Sequence, residues 1–261
     1  MKILIVIICF ILIPAVGLIA GGEAEKWDYW DASDSTDDRR VDHSLWQEFL
    51  EDYLVTESSD GINLLDYASA LSSGASRLEE YIIMLEAVEI RNYNSDEQFA
   101  FWVNLYNAAT VRLILDNYPI SSIRRISNPW GRKLVRIEGQ QLSLDDIEHR
   151  ILRPIWQEPR IHFAVNCASL GCPNLPAQAL SSSNSDEVLE NAARDFINHP
   201  RGVKLNGDLL ILSSIFSWYL EDFGLNEEEL LVYLGRYSKL DLREKRSVKY
   251  EYNWALNEIN R

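Results

Sequence analysis

The fold is decided by one stretch of the chain, Ser95-Asp-Glu-Gln-Phe-Ala-Phe-Trp-Val-Asn-Leu-Tyr-Asn-Ala-Ala-Thr-Val-Arg-Leu-Ile-Leu-Asp-Asn-Tyr-Pro119. Its first four residues match a capping box, in which the serine and glutamine side chains satisfy backbone N–H groups at the start of a helix. The pattern predicts a helix from Asp96 to about Asn117, ended by the Tyr-Pro pair. Large apolar side chains occupy nearly every face of this helix, which is typical of a helix at the centre of a domain.

A polar stripe interrupts this helix on the side opposite its aromatic face. At ~100° per residue, Glu97, Asn104 and Asn107 align along it. A buried amide without a hydrogen bond costs on the order of 1–3 kcal/mol, so these side chains need partners. We predict that Asn104 and Asn107 tie the helix to a neighbouring loop, and the alternative is that the stripe forms one wall of a polar binding pocket.

Helices and short strands alternate irregularly along the rest of the chain. Helical patterns cover 43–53, 77–90, 186–198, 213–222 and 226–237, and extended patterns cover 134–137, 203–212 and 247–252. This arrangement favours an α+β fold over a regular strand–helix–strand repeat. We predict a small, mainly antiparallel sheet surrounded by helices, with one buried central helix. A single domain would span 43–261, preceded by a linker over 23–42.

The N-terminal 22 residues are typical of an export signal. Met1-Lys2 precedes an unbroken apolar run from Ile3 to Ala20, and small residues follow it. This pattern predicts a signal peptide over 1–22, and the alternative is an uncleaved anchor because the run approaches the length of a spanning helix. We expect the rest of the protein to be exported, periplasmic or secreted, without membrane insertion after signal removal.

The charge of the chain restricts the class of partner. The formal net charge of the 261 residues is −15, and we find no basic stripe in the sequence. Nucleic-acid phosphates would be repelled, so nucleic acid is not an expected partner. We predict an unknown small molecule or peptide as the ligand and expect no cofactor.

A second stretch carries the candidate chemistry, Arg160-Ile-His-Phe-Ala-Val-Asn-Cys-Ala-Ser-Leu-Gly-Cys-Pro173. Residues 161–165 have the apolar and β-branched character of a buried strand, and the small residues after them predict a loop. His162, Asn166, Cys167 and Cys172 would therefore meet near one strand end. A thiol, an imidazole and an amide are sufficient for nucleophilic thiol catalysis.

Three interpretations compete for these side chains: thiol catalysis, a disulfide and a zinc site. Strand geometry counts against a direct pair of His162 and Cys167, because alternating side chains would point to opposite faces unless the strand ends early or Cys172 returns toward the imidazole. His149 is a second candidate base. Export favours a Cys167–Cys172 disulfide, because oxidising compartments join such pairs. Zinc is the third alternative, although the Cys/His spacing matches no familiar zinc site.

Several segments together resemble one known family. They are Phe101-Trp-Val-Asn-Leu-Tyr-Asn107, Leu142-Ser-Leu-Asp-Asp-Ile-Glu-His149, Arg160-Ile-His-Phe-Ala-Val-Asn-Cys167 with Cys172-Pro173, Phe216-Ser-Trp-Tyr-Leu-Glu-Asp-Phe223 and Tyr252-Asn-Trp-Ala-Leu-Asn257. In this order they resemble the family called domain of unknown function 547, over nearly the whole chain after the signal, from about Leu45 to Asn257. The family has no agreed activity, so the resemblance implies an identity without a reaction.

The leading functional hypothesis is therefore an exported, thiol-dependent hydrolase or transferase with a pocket of the cysteine-peptidase type. Cys167 or Cys172 would be the nucleophile and His162 the base, with Asn104 or Asn107 polarising a carbonyl group. Further predicted binding residues are Glu97, His149, Arg160 and Asn166. The competing hypothesis is a non-catalytic, disulfide-clamped ligand- or peptide-binding module of the cell envelope.

Overall fold

The computed structural model describes residues 23–56, 58–242, 244 and 246–259. The predicted signal peptide, 1–22, lies outside the described residues. Within them, no helix combines the length and the apolar character that crossing a membrane requires.

Helices of very different lengths are the main type of secondary structure in the fold. The α-helices are α1 Ser44–Tyr53, α2 Tyr67–Ser69, α3 Ala75–Glu86, α4 Ser95–Leu115, α5 Arg153–Trp156, α6 Ser185–Asn198, α7 Ile215–Trp218, α8 Leu220–Phe223 and α9 Glu227–Leu234. Two π-helical segments, Ala70–Gly74 and Asp146–Leu152, lead into α3 and α5. Short 3₁₀ turns cover Asp28–Trp30, Ile90–Asn92, Ile123–Arg125 and Pro159–Phe163.

Among the described residues, the strands form three small sheets rather than the single sheet predicted. They are β1 Leu54–Val55, β2 Leu64–Leu65, β3 Val135–Ile137, β4 Gln140–Leu142, β5 Val203–Asn206, β6 Leu209–Ser213 and β7 Ser247–Glu251. The pairs β1–β2, β3–β4 and β5–β6 are antiparallel, and β6–β7 is parallel. Helices with small, mostly antiparallel sheets confirm the predicted α+β class.

The central helix α4 confirms the prediction made from its sequence. Eighteen of its 21 residues are buried, and the main part of the core packs around it. Its cap differs by one residue from the predicted capping box, because the side chain of Asn94, not that of Ser95, accepts the Glu97 N–H at 3.0 Å. The amide of Gln98 donates instead to the backbone carbonyl of Tyr93 at 2.9 Å.

The predicted strand over 161–165 is wrong. Pro159–Phe163 is a 3₁₀ helix with Pro at its start, and the Glu158 carboxylate accepts the N–H of Arg160 at 3.0 Å. The Ile161 carbonyl then accepts the N–H groups of Ala164 and Val165 at 2.9 and 3.0 Å. A short apolar run fits a buried helical turn as well as a buried strand, so periodicity alone could not separate them.

The stretch predicted to be a linker contributes to the core through its first part, residues 23–30, which we call the N-terminal arm. Trp30 is 1 % exposed and packs edge-on against Trp102 of α4, with ring centres 5.0 Å apart. The arm is held by hydrogen bonds from the Glu25 and Trp27 N–H groups to the carbonyls of His149 and Arg150, both at 3.0 Å. It therefore runs beside the helical segment that carries Glu148 and His149.

Candidate functional site

A pocket of about 340 Å³ lies where the main core meets a smaller core formed by the C-terminal elements. Half-buried aromatic rings are clustered in its lining, with Trp254 5.4 Å from Trp218, 4.6 Å from Tyr252 and 5.7 Å from Trp130 between ring centres. The lining residues with a thiol, imidazole, carboxylate or guanidinium group are Cys167, Cys172, His149, His162, Glu23, Glu25, Asp145, Glu148 and Arg150.

The cysteine loop, residues 167–172, is held against the C-terminal segment of the chain. The N–H groups of Leu170 and Gly171 donate to the carbonyls of Ala255 and Asn253, each at 2.8 Å. A Cβ atom on Gly171 would lie 2.8 Å from the backbone nitrogen of Asn253, which leaves no room for a larger residue. The C-terminal segment therefore fixes where the loop presents its sulfurs.

Two buried asparagines hold the loop from the side of α4. The amide of Asn107 donates to the Ala164 carbonyl at 2.9 Å and accepts the N–H of Asn166 at 2.8 Å. The Asn166 side chain in turn donates to the Pro173 carbonyl and accepts the Ala168 N–H, both at 2.8 Å. Ala168 adopts the left-handed conformation with φ 57°, which a non-glycine residue rarely takes, so these contacts maintain a strained turn between the cysteines.

The two cysteines are free thiols that both contact the Tyr252 hydroxyl, and Cys167 also contacts the Ser169 hydroxyl. We call these four residues the sulfur cluster. The Sγ atom of Cys172 accepts the Cys167 N–H at 3.0 Å and the Tyr252 hydroxyl at 3.2 Å. The same hydroxyl lies 3.0 Å from Cys167 Sγ and 2.8 Å from Ser169 Oγ.

This environment distinguishes the two thiols. Burial opposes ionisation of Cys172, but hydrogen bonds from Cys167 and Tyr252 outweigh burial and lower the pKa of Cys172 to about 7. Burial raises the pKa of Cys167 well above its ordinary value, and the neighbouring Cys172 raises it further. Since the thiolate is the reactive form of cysteine, Cys172 is the better candidate nucleophile.

A second group of side chains surrounds His162, which is 2 % exposed. Its Nε2 lies 2.6 Å from an Asp222 carboxylate oxygen, and its Nδ1 lies 3.7 Å from a Glu148 oxygen. The ring stacks on Tyr219, with centres 4.0 Å apart. Both ring nitrogens therefore face carboxylates, and we call His162, Asp222, Glu148 and Arg153 the histidine network.

Arg153 completes the histidine network from α5. Its guanidinium donates to both Asp222 oxygens at 2.6 and 3.1 Å and to Glu221 at 2.7 Å. It also lies 3.2 Å from Nδ1 of His149. Burial opposes ionisation of Asp222, but hydrogen bonds from His162 and Arg153 outweigh burial and lower the pKa of Asp222 to about 2.

Glu148 links the histidine network to the pocket. It is 5 % exposed, lines the pocket and accepts the Tyr106 hydroxyl of α4 at 2.9 Å. Burial, and then the charge of Glu148, raise the pKa of Tyr106, and the charge of Cys167 adds a further contribution. The sulfur cluster and the histidine network are therefore close enough to interact electrostatically.

Comparison with known proteins assigns this region to a family. A family model described as "Protein of unknown function, DUF547" matches residues 90–197. Over these residues the chain is similar to the DUF547 family. No curated protein and no solved structure matches the chain.

The family match confirms the predicted resemblance over part of its range. Residues 90–197 contain α4, Glu148, His162 and both cysteines. The segments 216–223 and 252–257, which supply Asp222 and Tyr252, lie beyond the matched DUF547 region. The pocket therefore combines residues of the matched region with residues contributed by the chain that follows it.

Four of the site residues predicted from the sequence line the pocket: Cys167, Cys172, His162 and His149. Strand alternation does not separate His162 from Cys167, because the segment between them is not a strand. Both nitrogens of His162 nevertheless face carboxylate oxygens rather than a sulfur, so His162 does not form the direct imidazole–thiol pair of a catalytic dyad. The hydrogen bonds to the sulfurs come from the sulfur cluster instead.

The other predicted binding residues lie outside the lining of this pocket. Asn107 and Asn166 brace the cysteine loop from behind, whereas Asn104 hydrogen-bonds the backbone of Leu180 in both directions, at 2.8 and 2.9 Å. Glu97 accepts the Val41 N–H at 2.8 Å. Arg160 pairs with Glu158, Asp186 and Glu190. Among the described residues, no cluster of three or more His, Cys, Asp or Glu side chains is arranged to hold a metal ion, so the zinc alternative gains no support.

Sequence reasoning missed Glu148, Tyr252 and most of the aromatic lining. Glu148 directly precedes the candidate base His149, and Tyr252 belongs to a segment 80 residues after Cys172. Both residues occur in segments that carry the DUF547 resemblance, which was the available signal. Asp222 contacts His162 although the two residues lie 60 positions apart in the chain.

Proposed function

We propose that the pocket is the active site of a thiol-dependent hydrolase or transferase, with Cys172 as the nucleophile. The observation that carries the proposal is the hydrogen bonding of Cys172 Sγ, which receives the Cys167 N–H and the Tyr252 hydroxyl at the edge of a pocket. Donors aimed at a sulfur stabilise its thiolate, and a thiolate near neutral pH is what nucleophilic thiol catalysis requires.

The proposed reaction is acyl transfer in two steps. The Cys172 thiolate attacks the carbonyl carbon of an ester, thioester or amide, and a C–S bond forms while the carbonyl electron pair moves to oxygen. Collapse breaks the bond to the leaving group, which takes a proton from an acid in the pocket. Water or an amine then attacks the thioester, loses its proton to a base and releases the thiolate.

Tyr252 and Glu148 have the clearest supporting roles in this proposal. The Tyr252 hydroxyl donates to the resting sulfur. It is therefore placed to donate to the substrate oxygen when the negative charge moves there. Glu148 is the pocket carboxylate that can exchange the proton of the leaving group or attacking water. His162 acts through Glu148 as a positioning residue, because its other nitrogen is held by Asp222.

Asn104 and Asn107 have no part in polarising the substrate in this proposal. Both amides are buried, and each makes two hydrogen bonds with backbone groups. The proposal keeps export as its cellular setting, on the apolar pattern of residues 1–22.

Acylation of the protein tests the proposal directly. The protein without residues 1–22 is incubated with 4-nitrophenyl acetate and quenched in acid, and acetylated peptides are mapped by mass spectrometry. We expect one acetyl group on Cys172, its retention in Cys167→Ser and its loss in Cys172→Ser. Acetylation that is unchanged in Cys172→Ser would remove Cys172 from the nucleophile role.

The second candidate function is a disulfide-clamped binding module, and one observation favours it. The two sulfurs contact the same Tyr252 hydroxyl, and Cys172 Sγ lies 3.0 Å from the Cys167 nitrogen, so the thiols are neighbours. After export, oxidation would join them and leave the aromatic lining as a non-covalent binding surface. Peptide mapping of unreduced protein separates the candidates, because the disulfide form yields a cross-linked peptide and no acetylated Cys172.

A further inference from the structure

We infer that this pocket recognises an organic cation, such as the ammonium group of a lysine side chain or an alkylamine. The inference deepens the proposed function, because it names the substrate class of the same pocket, and it rests on that function for its catalytic meaning. The aromatic cluster of the cavity remains half-exposed instead of packing into the core.

The aromatic cluster offers ring surfaces suited to a cation. Trp218, Tyr252 and Trp254 form a contiguous group with ring centres 4.6 to 5.4 Å apart. Arg124, which is not among the lining residues, already places its guanidinium 5.2 Å from the centre of the Trp254 ring. Tryptophan and tyrosine faces attract cations electrostatically, most strongly where water is excluded, as in the aromatic cages that bind ammonium groups.

The charges around the cavity favour the same ligand. Glu23 and Glu25 come from the N-terminal arm, and Asp145 and Glu148 come from the helical segment beside it. Arg150 is the single lysine or arginine among the described residues that line the pocket, and its charge is paired with Asp146 at 3.2 Å. The side chain of Asp145 is 49 % exposed. An anionic ligand would be repelled by these carboxylates, whereas a cation would be attracted.

The size of the cavity indicates how the cation arrives. A volume of about 340 Å³ is at the lower end of the range of roughly 300–1,000 Å³ for small-ligand pockets. It accommodates a side chain with several carbons and a terminal charge, whose apolar stem would pack on the tryptophans. A lysine-type side chain therefore matches the pocket in volume, apolar contact and charge.

Binding to the Cys172→Ser protein tests this inference without any acyl transfer. Tryptophan fluorescence is titrated with Nα-acetyl-lysine methylamide, its norleucine analogue, which lacks the ammonium group, and its glutamate analogue. We expect saturable binding of the lysine compound, at least about fivefold tighter than the norleucine compound and weakened by salt. Glu23→Gln combined with Glu25→Gln, and Asp145→Asn alone, should each weaken only the lysine compound.

Asp208→Asn is the matched control, because it removes the same charge from the turn between β5 and β6, outside the pocket lining, and should leave the affinity unchanged. Equal or tighter binding of the norleucine compound, preference for the glutamate compound, or no saturation in the millimolar range overturns the inference. Since Cys172→Ser cannot be acylated, failure of cation binding and failure of thiol chemistry are separate results.

Discussion

The sulfur cluster and the histidine network meet at one pocket but are stabilised in different ways. In the sulfur cluster, the Tyr252 hydroxyl, the Ser169 hydroxyl and a backbone N–H surround two thiols. In the histidine network, Arg153 and His162 are paired with carboxylates. Neutral donors make one thiol easier to ionise, whereas paired charges fix the position of the imidazole.

This difference assigns reactivity to one side of the pocket and orientation to the other. A group that changes its charge near pH 7 can act as a nucleophile, and Cys172 meets that condition with a pKa of about 7. Asp222 keeps its charge far below that pH, with a pKa of about 2, so it maintains the electrostatic environment of His162. Mutations on the two sides should therefore affect different measurements.

The largest expected effect on stability comes from Arg153→Ala. The Arg153 side chain is 1 % exposed, and its removal leaves Asp222 without its guanidinium partner. Breaking one side of a buried charge pair costs about 3 kcal/mol of unfolding free energy. Urea unfolding should show this loss, whereas Arg194→Ala, whose side chain is 53 % exposed, should cost less than about 1 kcal/mol. An equal loss for both variants would contradict the structural role of Arg153.

Asn107→Ala and Asn104→Ala form a matched pair on α4. Each removes a buried amide with two backbone partners and should cost about 2 kcal/mol of unfolding free energy. Asn107 braces the segment that leads into the cysteine loop, so Asn107→Ala should also slow alkylation of the fast thiol. Asn104→Ala should leave the alkylation rate unchanged, and a slower rate in both variants would show that the loop responds to any loosening of α4.

Acid stability measures the contribution of Asp222. Its pKa in the folded state is about 2, below the ordinary value, so its contribution is fully present above the pKa of the unfolded chain and is lost as the pH falls toward 2. After allowance for solvent screening, Asp222→Asn should remove about 1–2 kcal/mol of stability at pH 7. Between pH 5 and 2, the unfolding free energy of Asp222→Asn, measured in urea, should then fall less than that of the native protein, by about this difference. An unchanged slope would place the charge of Asp222 outside the histidine network.

The smallest expected effect belongs to Tyr252→Phe. Loss of its hydroxyl removes a donor to Cys172 Sγ and should raise the pKa of the fast thiol. At pH 7 the rate of alkylation by iodoacetamide should fall about fivefold, since fewer molecules carry the thiolate. Tyr250→Phe is the control, because Tyr250 lies in strand β7 just before Tyr252, and it should not change the rate. A faster reaction in Tyr252→Phe would show that the hydroxyl shields the sulfur instead of activating it.

The sequence predicted the helical framework better than it predicted the site. The helix α4 could be predicted because its apolar faces and the Tyr118-Pro119 stop are local signals. The apolar residues 161–165 were ambiguous, and Pro159 with the Glu158 cap favoured a 3₁₀ turn over the predicted strand. Tyr252 reaches the sulfurs only through the pairing of residues 253–255 with the cysteine loop, a long-range contact that no local pattern contains.

The polar stripe of α4 could be predicted only in part. Burial correctly required hydrogen bonds for Asn104 and Asn107, but periodicity could not show which segment would supply them. One amide met the segment before the cysteine loop and the other met Leu180, although they lie one helical turn apart.

The most direct measurement of the central claim is the pH dependence of thiol alkylation in the unreduced protein without residues 1–22. The account predicts two titratable thiols, one of which reacts fast with a midpoint at about pH 7, as the pKa of Cys172 requires. The fast phase should persist in Cys167→Ser and disappear in Cys172→Ser. No reactive thiol before reduction, or a fast phase that survives in Cys172→Ser, would contradict the claim that Cys172 is the activated nucleophile.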